Sequence, residues 1–196
     1  MTFAQLRDRV RAQIEQEHRY AHCVRVARLA ERFARAHGAS APKARLAGML
    51  HDLARLYSAS RLLEECARRG IVPTDFERQN PIVLHAPLSA ALASEIFGVN
   101  DDEVLSAIAK HTVAAPVMST LDCVVYLADG LEPGRTFPER LDLARLAEID
   151  LAAAMRGTLA SSLQFYKQQG IAVSPQTLAA AHTFGLRTGT LEARTA

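Results

Sequence analysis

Apolar residues recur at spacings of three and four along nearly all of this 196-residue chain, and no stretch shows the period-two alternation of a convincing strand. Residues 3–17 carry Phe3, Leu6, Val10 and Ile14 on one face. Residues 19–37 repeat the pattern with Val24, Val26, Ala27, Ala30, Phe33 and Ala34, and Gly38 is suited to stop the helix. Pro42 fits the first turn of a helix expected to run to about residue 54. Ser60 can cap a helix through Arg69, while Pro73 and Pro81 make 71–84 read as a loop. Pro87 opens the next helix, which ends near Gly98. Asn100 or Asp101 caps another through His111, and Ser119 or Thr120 starts one through Ala128. Two more are expected at 139–149 and 150–169, and Ser174-Pro175 begins a last one through Phe184. The expected architecture is one all-α domain over 1–185, a bundle of roughly seven to nine helices, with a frayed tail at 186–196.

Bulk composition narrows the function classes. Apolar residues make up 49% of the chain, which suits a packed core. A net charge of +2 gives no general electrostatic case for nucleic acid. Arg25, Arg28, Arg32 and Arg35 share one helix face, but no aromatic residues interleave with them to stack bases, so a solvated face is the ordinary reading. The three cysteines, Cys23, Cys66 and Cys123, form no CxxC pair. An odd, unpaired count fits reduced thiols, and the apolar surroundings of Cys23 and Cys123 suggest burial. The N-terminus lacks the apolar core of a signal peptide, and no uncharged apolar run is long enough to span a bilayer. A cytoplasmic location away from membranes is expected.

The chemistry lies elsewhere. His51 and Asp52 stand side by side at the end of an apolar stretch, and together offer a metal one nitrogen and one oxygen. His22 lies upstream; His85, His111 and Asp129 lie downstream, each on or beside an expected helix. Zinc fingers gather ligands from short local spacings, whereas these six residues can meet only if the fold brings them together. Imidazole and carboxylate together suit iron, manganese, zinc or cobalt rather than calcium. Asp52 is the natural bridge between two ions, since each of its oxygens can serve one. Two such ions acidify a shared water and neutralise phosphoryl oxygens, and arginines hold the rest of a polyphosphate bidentately. Each residue alone has a plain alternative: His111 a helix-end residue, Asp129 a helix-ending aspartate, His85 a loop histidine. His18, His37 and His182 read as surface or cap residues. Lys110 enters as a proton donor on adjacency alone.

The local contexts of these residues go further. His18-Arg19-Tyr20-Ala21-His22, Ala47-Gly48-Met49-Leu50-His51-Asp52-Leu53-Ala54, His85-Ala86-Pro87, Lys110-His111-Thr112 and Ala128-Asp129-Gly130-Leu131-Glu132-Pro133-Gly134-Arg135 resemble the motifs of the HD superfamily of metal-dependent phosphohydrolases. Within it they look like the bacterial YqeK family, the symmetrically cleaving dinucleoside tetraphosphatases. The resemblance covers about residues 3–170. It implies that His22, His51, Asp52 and Asp129 hold one transition metal, with iron favoured over manganese, cobalt or zinc. His85 and His111 complete a second site or touch phosphates. Asp52, His85 and His111 are implied as catalytic, and Arg19, Arg55, His85, Thr112 and Arg135 as substrate contacts. The implied reaction is attack of a metal-activated hydroxide on an inner phosphorus of diadenosine tetraphosphate, giving two ADP. The alternatives are another nucleotidase or phosphodiesterase on the same scaffold, or a non-catalytic nucleotide-binding module. The expected partner is a small nucleotide, and a homodimer is open through the last helix, with Leu178, Ala181 and Phe184. The chain departs from the family pattern twice. Arg55 stands where lysine is common, and Ala114-Ala115-Pro116 follows the His-Thr pair where glycine is usual.

Overall fold

The computed structural model describes residues 2–14 and 16–187, and every regular element among them is helical. In chain order the α-helices are α1 (Phe3–Gln13), α2 (Glu17–Ala36), α3 (Ala41–Leu50), α4 (Ala59–Arg68), α5 (Asp75–Gln79), α6 (His85–Phe97), α7 (Asp102–Lys110), α8 (Thr120–Leu131), α9 (Arg140–Leu146), α10 (Leu151–Gln169) and α11 (Pro175–Thr183), with a 3₁₀ turn at Pro81–Leu84. The all-α class stands, but these eleven α-helices exceed the seven to nine expected. Part of the excess comes from residues 71–84, expected as a loop. Thr74 and Glu77 form a reciprocal capping box that starts α5, and Pro81 opens the 3₁₀ turn instead of breaking structure.

Most starts follow from side-chain caps. Thr2, Ser40, Ser58, Asp101, Ser119, Asp150 and Ser174 each accept a hydrogen bond from an N–H of the first turn. The cap of α4 is thus Ser58 and not Ser60. The end of α3 departs in a useful way. Instead of continuing to residue 54 it stops at Leu50, and the N–H of Ala54 is taken by the hydroxyl of buried Ser89 on α6 at 3.0 Å. That bond replaces the ladder bond to Leu50 and turns the chain at His51-Asp52. The next helix begins at His85 rather than Pro87 because the 3₁₀ turn runs directly into it.

The long helix α2 runs through the centre, with α3 and α8 against it; α7 packs on α3, α6 and α8, and α10 covers α8 and α9. The α2–α3 contact is made of small residues. Ala27, Ala30 and Ala34 of α2 and Ala44, Ala47 and Gly48 of α3 are all buried. A methyl group on Gly48 would lie 2.8 Å from the Ala27 Cα and 3.0 Å from its nitrogen, so the two backbones touch there. All three cysteines are free and buried. Arg32 pairs with Glu148 and Arg35 with Glu31 on the α2 face, as a solvated face does. In the last helix Leu178 and Ala181 pack against Leu163 and Val173 of the same chain. Leu186 bonds back to Ala181 O, so the first tail residue is tied down; 188–196 lie outside the described residues. No described helix is long and apolar enough to cross a membrane.

The Gly48→Ala change is expected to force α2 and α3 apart and cost about 1–3 kcal/mol of stability. Thermal unfolding followed by circular dichroism should show a melting temperature lowered by roughly 2–4 °C per kcal/mol. An unchanged melting temperature would mean that the backbones do not meet at this point.

Candidate metal centre

His22 comes from the first half of α2, His51 and Asp52 from the turn after α3, His85 from the first residue of α6, His111 from the residue after α7, and Asp129 from the last turn of α8. Five of the six sit at or beside helix ends. Each imidazole is oriented by what its Nδ1 meets. His51 Nδ1 donates to Gly48 O at 2.8 Å, His111 Nδ1 to Ile108 O at 2.7 Å, and His85 Nδ1 to Ile82 O. His22 Nδ1 meets Glu132 Oε1 at 3.1 Å. With Nδ1 carrying the proton in each ring, all four Nε2 atoms present a lone pair.

Those lone pairs converge on Asp52 from two sides. His22 Nε2 and His51 Nε2 lie 3.6 and 3.4 Å from Asp52 Oδ2, and Asp129 Oδ1 lies 3.0 and 3.8 Å from the same two nitrogens. His85 Nε2 and His111 Nε2 lie 3.3 and 3.7 Å from the other oxygen, Oδ1. Within each pair the nitrogens are 3.2 Å apart (His22 and His51) and 3.1 Å apart (His85 and His111). Two acceptor nitrogens so close repel unless a cation stands between them. The donor set therefore fits metal ions: His22, His51 and Asp129 form one group close enough to hold an ion, Asp52, His85 and His111 another, and Cys23 with His51 and Asp52 a third.

Within the centre, the surrounding charges hold both aspartates as anions. Burial works against the Asp52 charge, but His51, His111 and His85 outweigh it and hold the carboxyl well below the usual carboxylate range. Burial likewise opposes ionisation of Asp129, and is overcome by the bond to His22 and by His51 and Arg135. Burial disfavours the His51 imidazolium, yet Asp52 first and then Asp129 raise its pKa. His111, equally buried, is pushed down by that burial.

The centre opens into a cleft of about 340 Å³. Arg19, Arg55, His85, Thr112 and Arg135 all line it, so every expected substrate contact reaches the same space. Arg19 donates to Asp52 Oδ2 at 2.8 Å while its buried Nε has no partner, and Arg135 donates to Asp129 Oδ1 at 2.6 Å. Thr112 Oγ1 lies 3.1 and 3.0 Å from the Nε2 atoms of His85 and His111. Lys110 is elsewhere: its ammonium bonds Asp122 at 2.7 Å and Val117 O at 3.1 Å, so it braces the loop and is not placed as a proton donor. His18 is exposed, and His37 bonds Ala147 O.

Sequence reasoning missed Glu132, which is buried and receives bonds from Arg25, Gly134 N and His22. Its signal was present in the Asp129–Arg135 motif, without a role. Arg25 is accordingly an ion-pair partner and not merely part of the solvated face. Also missed were the cleft walls Phe76, Asn80 and Ile82 and, from α10 to α11, Tyr166, Ile171 and Ser174, which carry no motif. The departure at Ala114 has a visible consequence: its φ is +59°, a left-handed conformation that suits glycine.

A family model described as the HD domain matches residues 19–134, more than half of the chain. The chain belongs to the HD domain family, whose fold is that of metal-dependent hydrolases. Among its relatives is the symmetrical bis(5'-nucleosyl)-tetraphosphatase of Bacillus subtilis (strain 168), 35% identical over 161 residues, which span 82% of this chain and 86% of the relative. The protein of the same name from Halalkalibacterium halodurans is 34% identical over 163 residues, 83% and 87% of the two chains. A crystal structure from Clostridium acetobutylicum, described as a predicted HD superfamily hydrolase involved in NAD metabolism, superposes with a TM-score of 0.88 at 29% identity. It covers 94% of this chain and 97% of that one.

Two outcomes follow. Stripping with a chelator is expected to lower the melting temperature, and adding back Mn²⁺ to restore it in the wild type but not in Asp52→Ala, because a ligand that binds only the folded state stabilises it. A melting temperature indifferent to Mn²⁺ would remove the metal reading. Ala114→Gly should relieve the left-handed alanine and stabilise by roughly 0.5–1 kcal/mol after the added chain entropy of glycine. A lower urea midpoint would show instead that the loop tolerates its conformation.

Proposed function

We propose that this protein hydrolyses diadenosine tetraphosphate, or a similar dinucleoside polyphosphate, symmetrically into two nucleoside diphosphates, with iron as its resident metal. The observation that carries this reading is the position of Asp52. One oxygen faces His22 and His51, the other faces His85 and His111, and three arginines stand in the adjoining cleft. Metal ions held by these ligands would stand beside three guanidiniums, a combination suited to a chain of phosphates. The names of the relatives support the same substrate.

When bound, the metal supplies Lewis acidity and a water acidic enough to lose a proton near neutral pH. His22, His51, Asp52 and Asp129 would hold one ion, and His85 and His111 with Asp52 a second. The chain's own residues do the rest. Arg19 lines the cleft and offers its guanidinium to a phosphate oxygen there. Arg55 and Arg135 supply charge along the cleft, and Arg55 can do so bidentately where a lysine could not. Thr112 brings a hydroxyl to the His85–His111 side. Phe76 and Ile82 at one part of the cleft, and Tyr166 and Ile171 at another, offer apolar faces for nucleobases. A nucleoside diphosphate leaves readily, so the reaction needs no strong proton donor, in keeping with the engagement of Lys110 elsewhere.

The assay is hydrolysis of diadenosine tetraphosphate by metal-loaded protein, with products separated by chromatography. ADP as sole product, absent in Asp52→Ala and in the chelated sample, is expected. AMP with ATP would overturn the position of the cut. Metal-loaded protein that leaves the substrate intact would overturn the substrate. Arg19→Met should lower kcat/KM by about 10²-fold, on the scale of losing one charge-stabilising donor.

A further inference from the structure

The two halves of the centre are not equivalent, and the difference lies behind His22. Three of the four histidines rest their Nδ1 on a neutral backbone carbonyl: Gly48 for His51, Ile82 for His85 and Ile108 for His111. His22 alone among the four rests on a carboxylate, Glu132, which is 2% exposed. Around that carboxylate stand only donors. Arg25 Nε and Gly134 N donate to Oε2, and Arg25 Nη2 donates to Oε1 at 3.2 Å, so Glu132 is held as the anion.

An anion on Nδ1 draws the ring proton toward itself and makes Nε2 a stronger donor than a carbonyl does. The same half also holds two carboxylate oxygens, from Asp129 and Asp52. The other half has one, Asp52 Oδ1, and the neutral hydroxyl of Thr112. We infer that the two metal positions are unequal: Glu132, acting through His22, makes the His22–His51–Asp129 position the tight one, and the His85–His111 position binds second and more weakly. Glu132 is thus a positioning residue that touches no substrate. The inference rests on the metal-binding reading of the site and not on the nucleotide.

The test is titration of chelator-stripped protein with Co²⁺ alone, followed by its visible absorption and by calorimetry. Wild type is expected to bind in two steps, the first at least about 10-fold tighter. In Glu132→Gln the first step should weaken about 10–100-fold, the range seen when such outer partners of ligating histidines are changed. The second step should stay within about 3-fold. Arg25→Lys is the control. It keeps a cation beside Glu132 but removes the two-pronged guanidinium tie between α2 and the end of α8. It should keep the first step tight even if it lowers the melting temperature. Equal steps in wild type, an unchanged first step in Glu132→Gln, or the same loss in Arg25→Lys and Glu132→Gln would each overturn the inference, the last by showing that Glu132 is only a strut. Failure to hydrolyse diadenosine tetraphosphate leaves these metal readouts untouched, so the two readings fail separately.

Discussion

Four imidazoles can aim their Nε2 atoms at one place only if something else holds each Nδ1. Here three are held by backbone carbonyls three residues earlier in the chain, Gly48 for His51, Ile82 for His85 and Ile108 for His111. Each of these carbonyls belongs to a helix or 3₁₀ turn that ends at or just before its histidine. A helix leaves its last carbonyls without intrahelical donors, and a histidine placed there satisfies one while fixing its own ring. Ending three elements at one point therefore fixes the aim of the rings, and Ile82 O and Ile108 O take the backbone N–H of the same histidine as well. It also explains why α3 must stop at Leu50, where Ser89 takes the amide of Ala54 and keeps the turn in place.

The backbone contact between α2 and α3 serves the same geometry. His22 is the one histidine of the four in mid-helix, so its distance from His51 depends on how closely the two helices pack. Gly48 against Ala27 sets that separation, three residues before His51 and five after His22. A larger residue at 48 moves His51 and Asp52 relative to His22. Core packing and ligand placement are here a single constraint, and the run of small residues along the contact is its trace in the sequence.

Much of this was legible in residues alone. The all-helical class followed from spacing three and four, and caps such as Asp101 and Ser119 located helix starts closely. The six residues that converge were found because paired His-Asp chemistry makes them conspicuous. What stayed hidden was hidden for physical reasons. A five-residue helix such as α5 is too short to show a period, and its two flanking prolines look like breakers until the cap of Thr74 is seen. Glu132 was invisible as a functional residue because carboxylates are usually solvated, and only the fold buries this one between Arg25 and His22. The cleft walls at Phe76 and Tyr166 carry no polar signature. Their relation to the centre exists only in three dimensions. Lys110 shows the opposite error, where adjacency in sequence to His111 suggested a part that its bond to Asp122 rules out.

The charges around the centre also form a pattern. Three carboxylates, Asp52, Asp129 and Glu132, are each matched to one arginine: Arg19, Arg135 and Arg25. Buried charge is costly unless paired, so this matching lets the acidic centre exist inside a helical core before any cation arrives. It has a second consequence. Because the arginines already offset the carboxylates one for one, each cation that enters adds its full charge to the region. A bound cation would make the floor of the cleft positive, beside a wall that carries Arg55. A site built to hold metal alone would gain by leaving its carboxylates unmatched. Matching them would leave the charge of a bound cation for an anion in the cleft, which suits the polyphosphate substrate proposed above.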